Sequence, residues 1–312
     1  MVQQDQSSNQ TPTIQAPMFS IIVAVYNDWT MLDGCLQSLA RQTNGPGFEV
    51  IIVDDGSTET APEFVGTSRG YPSTIIRQAH EGIPSARNRG IRTSKGRVLL
   101  FVDADSRLRT NCLAVLSSTI VNSPQHDCFQ LRLVGNCSNL VGRAEELRLI
   151  TFQSHMLQAD GRIRYLNTAG FAIRRTLVDI EAGVFDPAAL RAEDTLLLAN
   201  LMQRGELPWF VPDAIVEHAI PLSLMGCLRK DIRSAYLEGR TYEIIASKGV
   251  KIRVTHGERL QMLASMWKAA GQPSIGRSAW FVLVMRQALQ RTISFAHQCL
   301  RVGSTTLTQD RP

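Results

Sequence analysis

Three of this chain's neighbouring carboxylate pairs stand where an expected strand ends or an expected helix begins. Asp54 and Asp55 end the apolar run 50–53, Asp103 and Asp105 flank Ala104 beyond the run 98–102, and Glu193 and Asp194 head a leucine-rich stretch. Neighbouring acids repel, so each pair needs a reason. Alternate positions past a strand can aim two carboxylates at one point, and oxygen donors suit Mg2+ or Mn2+. A cation shared with phosphates would neutralise Asp103 and Asp105; the plainer account is a solvated turn. The segment Asp54-Asp55-Gly56-Ser57 has the same two readings, since Asp and Gly commonly end strands. Glu193 and Asp194 either offset a helix macrodipole from its first turn or offer a base to a hydroxyl proton. Helix N-terminal amides would lower a carboxylate pKa rather than raise it. His218, a lone histidine, is by default a core or surface residue.

The elements that must position these residues alternate. FSIIVAVYN (19–27) is rich in β-branched residues and nearly unbroken in apolarity, as a parallel strand covered on both faces requires. A helix is expected over 28–42, where Leu32, Leu36 and Leu39 recur about once per turn, before a break at NGPG. FEVIIVDDGS, STIIRQ and GRVLLFVDADS read as further strands, and HEGIPSARNRGIRTSKG as a loop running into a short helix. Beyond 110, helices are expected at NCLAVLSSTI, VGRAEELRLITFQSHML and 191–205, the last stopped by Gly205. Strands are expected at CFQLRLVG, 165–175 and 210–220, and only helices from Pro221 onward. The rhythm argues for an α/β fold, a mostly parallel sheet flanked by helices. In such sheets ligands bind outside the carboxyl ends of the strands, where both aspartate pairs lie. The first turn, VAVYNDW, holds no GxGxxG, which weighs against a dinucleotide-binding dehydrogenase.

VAVYN, VDDGS, SARNRGIRTSKGRVLLFVDADS, NTAGFAIRR and the AED at 192–194, in that order, resemble the nucleotide-sugar-dependent glycosyltransferases of family 2, which have the GT-A fold. The resemblance covers about 18–220. It implies a metal-dependent, inverting transfer from a nucleotide-diphosphate sugar to a hydroxyl. By that resemblance Val25 and Asn27, at the first strand's end, and Asp54 and Asp55 hold the donor's base and ribose, and Arg87 approaches the nucleotide. Asp103, Ala104 and Asp105 match the metal–diphosphate motif, Asp105 being the usual direct ligand of Mn2+ or Mg2+. Asp194 matches the catalytic base, with Glu193 beside it. In some relatives a histidine placed like His218 contacts the metal or the diphosphate. Asn167, Thr168 and Gly170 would line the acceptor side. Arg229, Lys230 and Arg233 would offset the leaving diphosphate's charge, or form a solvated basic face.

No QxxRW follows the base, so non-processive transfer is expected, onto a glycan, a lipid-linked sugar or a small molecule, within glycan or polysaccharide synthesis. A sugar-phosphate nucleotidyltransferase shares the sheet plan but would carry a glycine-rich basic loop after the first strand. A non-catalytic nucleotide-sugar-binding protein would have less use for Asp55, Asp103, Asp105 and Asp194 together.

Composition fits this outline. At 44% hydrophobic and 20% charged, the 312 residues suit a globular chain with a substantial core. The net charge of +5 divides unevenly: from Gly226 onward, fourteen Lys/Arg face five Asp/Glu, a net of +9 that leaves −4 for the rest. A flexible tail is expected at 1–17, a GT-A catalytic domain at 18–220 and a helical, basic region at 221–312. The tail lacks the apolar core of a signal peptide. Six cysteines without CxxC spacing read as reduced, buried thiols. AWFVLVM (279–285), interrupted by Arg286 and Arg291, is too short to span a bilayer. A cytoplasmic protein is expected, peripheral if anywhere on an anionic membrane surface, and no nucleic-acid partner.

Overall fold

The structure is a computed structural model that describes residues 16–135, 139–218, 223–250, 252 and 254–309. The expected tail therefore lies outside the described residues except for Ala16 and Pro17, as do Cys137 and the boundary at 220. The side chains of Cys299 and Arg301 also lie outside them.

The four expected N-terminal strands form. They are β1 (Phe19–Val25), β2 (Phe48–Asp54), β3 (Ser73–Arg77) and β4 (Val98–Phe101), paired in parallel in the order β3-β2-β1-β4. Strand β1 is buried on both faces, which explains its nearly unbroken apolarity. Ile21 and Val23 pack with Leu32, Leu36 and Leu39 of α1 (Trp29–Ala40), while Ile22 turns the other way toward Ala86 and Ile91 of α2 (Ile83–Thr93). Gly90 lets α2 lie against the sheet, since a Cβ there would collide with Ile22 Cγ2.

The second half departs from the parallel plan. Strand β5 (Ser106–Leu108) precedes α3 (Cys112–Asn122), β6 (Cys128–Gly135) and α4 (Leu140–Met156). Then come β7 (Phe171–Arg174), α5 (Glu193–Gln203) and β8 (Trp209–His218). The complete order is β3-β2-β1-β4-β7-β6-β8-β5, with β7 antiparallel to both neighbours and β5 antiparallel to β8. The short β5 was not expected; only its pairing with β8 defines it.

The C-terminal helices are α6 (Leu224–Ser247), α7 (His256–Ala269), opened by a Thr255/Glu258 capping box, and α8 (Arg277–Gln309). They are fastened to the sheet domain: Met262, Met266, Ala279 and Leu283 belong to the same core cluster as β1 and α1. Arg286 of α8 grips Asp231 of α6 at 2.7 and 3.0 Å, and Arg164 reaches Glu258 at 2.6 Å.

Candidate active site

The carboxyl ends of β1 and β2 are tied together by their polar residues. Asn27 takes the left-handed conformation, φ 53°, and its Oδ1 accepts from the amides of Thr58 and Glu59 at 2.8 and 3.3 Å. Asp54, buried, accepts from the Ser57 amide at 2.8 Å. Asp55, also buried, uses both oxygens. Oδ1 accepts from Gln78 Nε2 (2.8 Å) and the Glu81 amide (3.0 Å), and Oδ2 accepts from the Gly82 amide (2.9 Å). Gly56, at φ 74°, passes so near that a Cβ would stand 2.6 Å from the His80 amide. Acids and loop thus make one rigid edge. Beside it the His80 ring stacks on Tyr26 at 4.1 Å, a flat pair that sequence reasoning missed because nothing marks His80. Val25 is buried beneath.

The end of β4 delivers Asp103, Ala104 and Asp105, and the last residue of β8 brings His218 to meet them. One ligand atom from each of Asp103, Asp105 and His218 lies within 4.8 Å of the others. His218 Nε2 stands 3.3 Å from Asp105 Oδ1, which is buried without a hydrogen bond. A buried carboxylate oxygen lacking a donor is costly unless something satisfies it. Two carboxylates and an imidazole suit Mn2+ or Mg2+, and the orphaned oxygen fits such a cation. Burial disfavours both charges, yet His218 and then Lys230 hold Asp105 below its usual range, and Asp105 and Asp103 hold His218 above its own. Of Arg229, Lys230 and Arg233, all exposed on α6, Lys230 is the one whose charge acts on Asp105 and His218. Asp28, which sequence reasoning did not single out, also belongs here: partial burial and the Asp105 charge raise it.

Arg87 joins this cluster to the next. Its buried guanidinium donates through Nη2 to Asp103 Oδ1 at 2.8 Å and through Nη1 to Glu193 Oε1 at 2.6 Å, above the Phe185 ring. Burial opposes that charge, and the two carboxylates outweigh it, raising the pKa. Glu193 is thereby committed to an ion pair. Asp194, next along, is pushed up to about 7, first by burial and then by the Glu193 charge. The Thr195 amide, 2.6 Å from Asp194 Oδ1, lowers it as helix amides should, but by less. The turn into α5 is strained, with Ala192 left-handed at φ 57°. The charge on Asp194 also acts on Tyr165, which burial pushes up to about 12.

The NTAG segment has a packing role in this geometry. Asn167 Oδ1 accepts from the Ala169 amide at 2.9 Å, and its own amide donates to buried Gln130 Oε1 at 2.8 Å. Thr168 is buried, and a Cβ on Gly170 would meet Leu133, Val216 and Leu131 within 3.3 Å. The structure thus brings together Asp103, Asp105, His218, Arg87, Glu193 and Asp194, and leaves Thr168 and Gly170 enclosed.

Comparison with known proteins follows these lines. The model of Glycosyl transferase family 2 matches residues 20–181, more than half of the chain. A PGL/p-HBAD biosynthesis glycosyltransferase of Mycobacterium bovis is 41% identical over 96 residues, 30% of this chain and 37% of that protein. The segment shared with such curated relatives is thus only about a third of their length. Among solved structures, a mannosyltransferase from Pyrobaculum calidifontis, in complex with GDP-Man and Mn2+, superposes with a TM-score of 0.57 at 17% identity, covering 96% of this chain and 89% of that one. Residues 1–349 of S. aureus TarS give 0.51 at 18% identity, covering 90% and 91%. These likenesses show a shared GT-A fold.

Proposed function

Because this chain belongs to glycosyltransferase family 2, we propose that it moves a sugar from a nucleotide-diphosphate donor to an acceptor hydroxyl, with inversion, in a cation-dependent and non-processive reaction. The observation that carries this reading is Arg87. One guanidinium bonds both Asp103, of the metal-fitting cluster, and Glu193, the neighbour of Asp194. On this reading one buried side chain links the proposed diphosphate site to the residue beside the proposed base. An inverting transfer places base and leaving group on opposite faces of the sugar, and two clusters held apart by one bridge support that reading.

Asp103, Asp105 and His218 would hold a divalent cation, which supplies charge neutralisation to the departing diphosphate. Val25, Asn27, Asp54 and Asp55 form the edge offered to the donor's base and ribose, and the Tyr26–His80 pair gives that edge an aromatic face. Arg229, Lys230 and Arg233, exposed on α6, add positive charge at the leaving-group side, Lys230 acting on Asp105. Asp194, near neutrality at about 7, takes the acceptor proton as the new bond forms. Asn167, Thr168 and Gly170 shape the acceptor wall from beneath by fixing β7 on β6. The acceptor is a glycan, a lipid-linked sugar or a small molecule. The Pyrobaculum neighbour's GDP-Man and Mn2+ support the donor and cation classes without choosing the base or sugar.

The test is release of nucleotide diphosphate from UDP- and GDP-sugars with Mn2+ and with chelator. Turnover that requires the cation supports the proposal. Binding without any turnover would mean a nucleotide-sugar-binding protein, and pyrophosphate release from a nucleoside triphosphate and a sugar phosphate would mean a nucleotidyltransferase.

A further inference from the structure

We propose that the outer face of α8, with its neighbour α7, docks on an anionic lipid bilayer. Helix α8 contains no acidic residue. Its inner face is occupied, with Ala279 and Leu283 buried and Arg286 held by Asp231. A helix packed on one side ordinarily turns polar residues to the other. This one does not. Phe281, Met285, Leu289 and Phe295 are 56%, 71%, 40% and 69% exposed. At 100° per residue they fall within about a third of the circumference, along about 21 Å of helix.

The surroundings indicate what covers this stripe. Exposed Arg277 and Arg291 lie along its edge, and the Arg277 guanidinium sits 4.8 Å over the Trp267 ring of α7. Trp267, Trp280 and Phe281 form a knot of rings with centroids 5.1 to 6.1 Å apart, and Leu260, 69% exposed, extends the patch along α7. Tryptophan and arginine bordering an apolar stripe match the layered chemistry of a membrane interface. Arg259 of α7 adds positive charge near Arg291, and an anionic surface would offset both. A second copy of the chain would not. A two-fold contact through this face would oppose arginine edges with no acid on α8 to answer them. Among the described residues no helix is long and apolar enough to cross a membrane, so the face would lie in the interface plane.

The test is flotation of the full chain with vesicles of equal parts phosphatidylglycerol and phosphatidylcholine, against phosphatidylcholine alone. The chain is expected to float only with the anionic vesicles, less so in high salt, with a blue-shifted tryptophan emission. Arg277→Gln with Arg291→Gln should weaken partitioning about 30-fold, at about 1 kcal/mol per charge. Met285→Ser with Phe295→Ser, both largely exposed, should abolish flotation while calorimetric binding of nucleotide diphosphate is kept. Failure to float with anionic vesicles, or flotation that neither pair of substitutions changes, overturns the proposal. So does a dimer that the Met285/Phe295 pair disperses in a chain indifferent to vesicles.

Discussion

Replacing Asp194 with asparagine should move activity and stability in opposite directions. Burial, and then the charge on Glu193, hold the Asp194 carboxyl at about 7 in the folded chain against an ordinary 3.8. Below 3.8 the folded and unfolded chains both carry the proton, and the favourable contribution of the protonated group is fully present. As pH rises toward 7 the unfolded chain ionises freely while the folded one resists, so that contribution is lost. A displacement of about 3 pH units corresponds to on the order of 4 kcal/mol at pH 8, at 1.36 kcal/mol per unit. Residual contact with solvent makes this an upper figure. Asparagine keeps the shape and never ionises. Asp194→Asn should therefore melt above the parent at pH 8, with the gap closing near pH 4, while transfer falls about 10²- to 10⁴-fold and donor affinity is unchanged. Glu193→Gln should keep turnover and shift the acid limb of the pH–rate profile to lower pH, because a like charge is removed and Arg87 is freed to act on Asp194. Calorimetric melting at pH 4 and 8 and pH–rate profiles of both variants decide the matter. Normal turnover by the asparagine variant, its melting below the parent at pH 8, or loss of turnover in the glutamine variant would refute the assignment.

Asp105→Ala should make calorimetric affinity for nucleotide diphosphate equal in Mn2+ and in chelator; a persisting preference for Mn2+ would place the cation elsewhere. Arg87→Met leaves Glu193, 13% exposed, and Asp103, 34% exposed, without their partner and should cost up to about 3 kcal/mol of stability in urea titration, solvent screening reducing the buried-pair figure. Arg87→Lys should recover only part of that, since an ammonium cannot span both carboxylates as the planar fork does.

The parallel half of the sheet could be read from the chain because its determinants are local. The run 19–25 is apolar at every position but Ser20 since both of its faces are covered, and Leu32, Leu36 and Leu39 mark the buried side of α1. The strand-edge aspartates were legible for the same reason, each following its own strand. What failed to show depends on distant partners. Ser-Arg-Leu at 106–108 becomes a strand only beside β8. Arg87 was expected to approach the nucleotide; its pairing with Glu193, 106 residues further on, could not be read from its own segment. The left-handed Ala192 carries no signal in its residue type, since alanine resists that conformation and only the surrounding fold imposes it.

The antiparallel pairing of β5 with β8 sets the order in which this protein can become active as it is synthesised. Ser106 pairs with His218, and Arg109 bonds Glu217, 108 positions further along the chain. A ribosome therefore releases Asp103 and Asp105 long before the histidine that stands against them, and Asp194 follows in the same late segment. Contacts so far apart in sequence form only after the chain between them has been made. On the proposed roles, a nascent chain carries Asp54, Asp55, Asp103 and Asp105 before Asp194 and His218, so transfer would await completion of β8.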